Sequence, residues 1–180
     1  MGVFLTNALS GWRGTSGEEH DFGFETADVE VKTTTNETRK HWISSLEQLQ
    51  ATMQRELWLI SIQLTEAGET GFTLGSLISK VRTKLTSDAD QMFFATLLLQ
   101  AGWQEAHSDL YIRRFRVRST PGCYLVNSEF PRLTREQLDK SKIEHGRIAE
   151  LRYLLDLTGV MSNKQYPPLL HMLLENDPFE

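Results

Sequence analysis

The chain has 180 residues, 39% of them hydrophobic and 24% charged, which suits one globular domain with a buried core and excludes wholesale disorder, collagen-like structure and a large modular machine. The formal net charge of -5 argues against a histone-like surface that attracts polyanions everywhere, and leaves room for a local basic patch. The single cysteine, Cys123, rules out an internal disulfide or a cysteine-rich zinc site, and no apolar run reaches the length of a membrane span, so the cytoplasm is the expected compartment.

In chain order, Met1 to Thr6 matches the bare pattern for N-myristoylation but has no basic cluster beside it, and is read as a short strand or helix entering the core. Gly11, Gly14, Ser16 and Gly17 form a loop. Asp21 to Glu25 and Asp28 to Thr34 then alternate apolar and polar residues as two adjacent strands. A helix follows from Ser45, with Ser44 or Ser45 as its cap. Leu57 to Leu64 is almost continuously apolar, as in a central strand covered on both faces. Thr73 to Leu85 has the three-and-four spacing of an amphipathic helix, and a second helix runs from a cap at Ser87 or Asp88 to Gly102. Leu110 to Arg118 reads as a strand, Pro121-Gly122 as a turn and Cys123 to Val126 as a further strand. Phe130 to Arg135 leads into a short capped helix, Arg147 to Val160 leans to strand, and the tail with Pro167-Pro168 and Pro178 reads as loop and fraying terminus. Strands mixed with a helical pair make an α/β or α+β domain.

The chemistry concentrates between Asp21 and Thr34. A connection centred on Thr26-Ala27 pairs Phe24 with Val29, Phe22 with Val31, Gly23 with Glu30 and Asp21 with Lys32. One face then carries Phe22, Phe24, Val29 and Val31 and belongs to the core. The other carries Asp21, Glu30 and Lys32, with Gly23 leaving room for something to approach. Asp28 shares the Glu30 and Lys32 face in any register, whereas a three-residue loop would flip one strand. Two carboxylates this close repel unless a cation lies between them or one takes a proton, and such hard oxygens suit magnesium or manganese. An ammonium beside them steers or helps to deprotonate a water that attacks a phosphodiester. A solvated strand face with one Glu and one Lys is the plainer alternative.

Asp21 nine residues before Glu30, the Val29-Glu30-Val31-Lys32 core and Thr33-Thr34 after it resemble the PD-(D/E)XK nuclease superfamily, with His20 where the motif has proline. Trp12-Arg13-Gly14, Ile43 to Leu49 and Phe130 to Thr134 extend the resemblance to a bacterial group of that superfamily linked to restriction and phage defence. The resemblance implies an α/β (α+β), restriction-endonuclease-like fold, a mixed β-sheet core flanked by helices, with Leu57 to Leu64 as its fourth strand. It implies one domain over residues 1–180, with a core at about 12–135 and a C-terminal extension. Asp21 and Glu30 would bind Mg2+ or Mn2+, the carbonyl of Val31 would complete the shell, Lys32 would position or activate water, and Gln48 would lie near the site; an ordinary surface glutamine is the alternative for Gln48.

Ile112, Arg114, Arg116 and Arg118 share one side of a strand, so three guanidinium groups are placed to track a phosphate backbone, with Arg132 and Arg135 as extensions; an edge strand guarded by charge is the competing explanation. Trp12, Trp42 and Trp103 are expected in the core or at its rim. The histidines show no zinc spacing, and His20 is expected to pack, because neighbouring strand residues point to opposite faces. No P-loop, dinucleotide or hydrolase-elbow motif occurs.

The expected function is therefore that of a metal-dependent DNA endonuclease, with DNA and the subunits of a restriction or anti-phage system as partners. Many members carry an acidic residue on a helix before the second strand, whereas Glu18 and Glu19 lie in the loop. This departure leaves open a truncated domain, or a catalytically silent module that binds DNA or a partner subunit, with a general interaction domain as a third possibility.

Overall fold

Residues 2–52, 54–141 and 144–175 are described by a computed structural model. The alternating segments form β1 (Phe22–Gly23) and β2 (Ala27–Thr34), followed by β3 (Lys40–Ile43), β4 (Glu56–Glu66), β5 (Phe115–Leu125) and β6 (Tyr153–Asp156). The main sheet has the order β1-β2-β4-β5, with β2 and β4 parallel and the outer pairs antiparallel; β3 pairs with β6 in a separate two-stranded ribbon. This mixed sheet flanked by helices is the α/β arrangement expected. Leu57 to Leu64 lies in the fourth strand in chain order, and β2 and β4 run side by side because β3 leaves the sheet between them.

The near-continuous apolar run of β4 is explained by cover on both faces. On one face Leu57, Leu59, Tyr124 and Val126 pack with Ile43, Leu49, Phe130, Leu155 and Leu157, which brings the β3–β6 ribbon against the sheet. On the other, Ala27, Val29, Trp58, Ile60 and Cys123 pack with Leu170, and Phe22, Phe24 and Val31 join them, as the alternation predicts.

A third cluster lies among α1 (Gly2–Gly11), α2 (Leu74–Lys84) and α3 (Asp88–Gln100) and includes Leu9, Ile78, Phe94, Leu97 and Trp103. Thr73 caps α2 in a reciprocal box with Ser76, and Ser87 caps α3. At the end of α3, Gly102 at φ +85° allows Trp103 N–H to reach Leu98 and Gly102 N–H to reach Leu99, a chain reversal that L side chains disfavour.

Four local expectations are corrected. The helix expected from Ser45 is a single 3-10 turn, Glu47–Leu49, which buries Leu49 and gives way to extended backbone at Gln50. Residues 110–114 precede β5 instead of belonging to it, Leu110 closing a 3-10 helix, Glu105–Leu110. Pro121-Gly122 does not turn the chain: β5 runs through it beside a register irregularity opposite Ser61 to Leu64. A Cβ at Gly122 would lie 2.6 Å from the Tyr124 hydroxyl, so this glycine provides space and not a bend. Pro167-Pro168 is followed by α5 (Pro168–Glu175) instead of loop, because proline suits the first turn of a helix and Leu170 finds a fully buried place in the core. Residues 176–180, including Pro178, lie outside the described residues. α4 (Arg135–Lys140), capped by Thr134 and Gln137, forms as expected.

Candidate active site on the carboxylate face

The β1–β2 connection centres on Glu25-Thr26, one residue earlier than expected, with Phe24 N–H bonded to the Ala27 carbonyl at 2.8 Å. Moving a hairpin centre by one residue shifts its register by two. Phe22 therefore pairs with Val29 and Gly23 with Asp28, correcting all four expected pairings. A two-residue shift keeps every side chain on its face, and it sets Asp21 against Glu30 instead of Lys32.

Asp21 lies just before β1, where the strand ladder ends. Its Oδ2 accepts the Val31 N–H at 2.8 Å, a side chain replacing the missing backbone acceptor. Its own carbonyl accepts from Arg13 N–H at 2.8 Å and Gly14 N–H at 3.2 Å. The Glu30 side chain is nearly enclosed, and Lys32 Nζ lies 2.7 Å from its Oε1. Burial pushes the Glu30 carboxyl up to about 7, opposed by the Lys32 ammonium and raised further by Asp21. Desolvation thus outweighs the adjoining ammonium at Glu30.

Two hard carboxylates, one of them hard to ionise without added positive charge, fit magnesium or manganese, ions that bind through one or two protein carboxylates and keep waters or substrate oxygens for the rest of the shell. No cluster of three or more His, Cys, Asp or Glu able to hold a metal occurs among the described residues. Asp21 and Glu30 are thus two carboxylates without a third acidic or histidine donor beside them among the described residues.

Gln48 is half-buried, and its Oε1 accepts the Ser44 N–H at 2.9 Å across the 3-10 turn. Asp28 is almost wholly buried, accepts from Thr52 Oγ1 at 3.0 Å and pairs with Arg55 Nε at 3.2 Å. His20 is buried, and desolvation lowers its pKa. The space above Gly23 is taken by Arg13: a Cβ there would lie 2.1 Å from the guanidinium carbon.

Behind Lys32 is a polar network that sequence reasoning missed. Lys32 pairs in register with Ser61, a fully buried residue whose Oγ lies 2.6 Å from His41 Nε2 and 2.9 Å from Arg39 Nη1. Arg39 also reaches Ser119 Oγ at 2.9 Å and the Thr120 carbonyl at 3.0 Å. Burial and the neighbouring Arg39 depress His41 to about 4, so its ring is neutral. Arg39 and His41 have the period-two spacing of one strand face, the signal that would have joined them.

Arg116 and Arg118 are exposed on β5, an edge of the sheet, and Arg114 is exposed just before it. Arg114 donates to the Gly71 carbonyl at 2.9 Å and Arg118 to Thr65 Oγ1 at 3.2 Å. Glu30 is level with Leu59 on β4 and Arg116 with Thr65, a separation of about 20 Å along the strand. Arg132 does not extend this strip: its Nη1 turns inward to the Leu49 carbonyl at 2.8 Å. Arg135 pairs with Glu47 at 2.7 Å. Trp103 is buried and Trp12 half-buried, whereas Trp42 is exposed beneath the Arg152 guanidinium, 4.3 Å from its ring centroid.

The mixed sheet of parallel and antiparallel strands flanked by helices is consistent with the restriction-endonuclease-like fold of the nuclease-like PD-(D/E)XK class. Residues 3–158 match the model of the family described as "Putative PD-(D/E)XK family member, (DUF4420)", and the chain belongs to that family. No curated protein and no solved structure matches it. Divalent metals are general in PD-(D/E)XK nucleases. No helix among the described residues is long and apolar enough to cross a membrane.

Proposed function

We propose that the protein is a metal-dependent DNA endonuclease acting in a restriction or anti-phage system. The observation that carries this reading is the contact between Lys32 Nζ and Glu30 Oε1 at 2.7 Å, directly across the hairpin from Asp21. Asp21 and Glu30 hold Mg2+ or Mn2+, with the Val31 carbonyl as a further oxygen; the bound ion supplies Lewis acidity toward phosphate and water. Lys32 orients the attacking water and holds positive charge beside the phosphate. Arg116 and Arg118, with Arg114, meet the backbone farther along the duplex.

Cleavage of plasmid DNA with magnesium or manganese tests the reading. Glu30→Ala and Lys32→Ala should each abolish cutting while circular dichroism stays unchanged, and cutting that survives both changes overturns it. The defence role predicts that expression of the wild type lowers phage plating efficiency and that Glu30→Ala does not.

A silent module that binds DNA or a partner subunit is the second reading, favoured by the lean donor set and by the lack of any acidic residue in α1. Calorimetric titration with manganese separates the two: heat that disappears in Glu30→Gln supports the nuclease, and no binding by the wild type supports the silent module.

A further inference from the structure

Next to the acid pair, Arg13, His20, Thr52 and Arg55 line a cleft of roughly 260 Å³, together with Gly17, Glu18 and Glu19. The Arg13 guanidinium lies against Gly23, level with Asp28 on β2. That is two residues, about 7 Å, from the level of Asp21 and Glu30, on the order of one nucleotide of backbone. Arg55 lines the same cleft while paired with Asp28. His20 lines the same cleft, and its Nε2 is buried without a hydrogen-bond partner, an arrangement costly to leave unpaired.

The acidic residues are largely committed. Asp28 is held by Arg55 and Thr52. Glu18 Oε2 accepts from Arg13 Nη1 at 2.7 Å, in a pair about one-third to one-half exposed. Glu19 is exposed. A carboxylate on a guanidinium occupies the fork that a phosphate oxygen would take. The Glu18–Arg13 pair, being partly solvated, is weak enough to exchange.

We propose that this cleft is a phosphate subsite for the nucleotide adjoining the one at Asp21 and Glu30, with Arg13 as its principal donor and Glu18 as the group that phosphate displaces. The inference rests on the DNA-cleaving reading above and adds a residue-level prediction of opposite signs. Removing Arg13 weakens binding; removing Glu18 strengthens it.

The test measures anisotropy of a labelled 20-base-pair duplex with the full chain carrying Glu30→Gln, which binds without cutting, at several salt concentrations. Arg13→Ala should weaken binding about 10-fold and lower the salt slope by about one. Glu18→Ala, at an exposed position that does not threaten the fold, should tighten binding about 3-fold. The double variant should match Arg13→Ala. Equal affinities throughout, or weaker binding by Glu18→Ala, overturn the subsite and leave the cleavage assay of the nuclease reading standing. A parent chain that binds no duplex overturns both.

Discussion

Lys32 Nζ lies 2.7 Å from Glu30 Oε1, yet burial pushes the Glu30 carboxyl up to about 7. Burial therefore outweighs the ammonium at this position. In the metal-free protein Glu30 has a folded pKa above its unfolded value, so its contribution is fully present below about pH 4.5 and is lost as pH rises through 7. Glu30→Gln should be more stable than the wild type at pH 8, by up to about 3 kcal/mol, with the difference vanishing near pH 4.5. Denaturant melts at the two pH values check this, and an unchanged gap refutes it. Manganese should raise the wild-type Tm at pH 8 and leave Glu30→Gln unmoved.

His41 carries the opposite slope. Its folded pKa, near 4, is below the unfolded value of 6.5, so its stabilisation is complete above pH 6.5 and is lost as pH falls toward 4. Between about pH 4.5 and 6.5 the two groups offset one another, and the wild type should show a nearly flat stability profile there. In a Glu30→Gln background the histidine limb is exposed, and His41→Gln should remove most of it, leaving the smaller part contributed by His20, which burial also depresses. A Glu30→Gln, His41→Gln double variant that loses as much stability over that range as Glu30→Gln alone would assign the limb elsewhere.

Two arginines that look alike in sequence should behave differently. Arg132→Ala removes the donor to the Leu49 carbonyl and should cost about 2 kcal/mol of stability. Arg116→Ala, at an exposed position on β5, should leave the Tm within a degree or so and weaken duplex binding with a smaller salt slope. Melting curves and anisotropy on both variants decide the assignment, and it fails if the effects are exchanged.

Leu170 is fully buried against Ala27, Val29 and Trp58. Leu170→Ala should destabilise by about 2–4 kcal/mol, whereas Leu99→Ala, on the exposed side of α3, should cost under about 1 kcal/mol. Equal costs in denaturant titrations would mean that α5 does not hold this side of the sheet.

Much of this was legible from local pattern. The alternation through β2, the apolar run of β4, the apolar spacing of α2 and the cap at Ser87 each depend on neighbours a few residues away. The grouping of Asp21, Glu30 and Lys32 was legible for a further reason: strand faces repeat every two residues, so moving the turn from Thr26-Ala27 to Glu25-Thr26 altered the partners without altering the faces. The helix at Pro168 is not legible in the sequence because proline marks both loops and helix starts, and only the burial of Leu170 distinguishes them.

By itself, the sequence determined which residues share a face, Asp21, Glu30 and Lys32 among them, and where α2, α3 and α4 begin. Tertiary structure alone decided that Asp21 meets Val31, that Arg13 occupies the space over Gly23, that Ser61 joins His41 to Arg39, and that Arg132 points inward. The division is physical. Periodicity is a property of the local backbone, whereas these contacts join segments that approach only when distant apolar residues are buried together, and their geometry depends on the whole packed core.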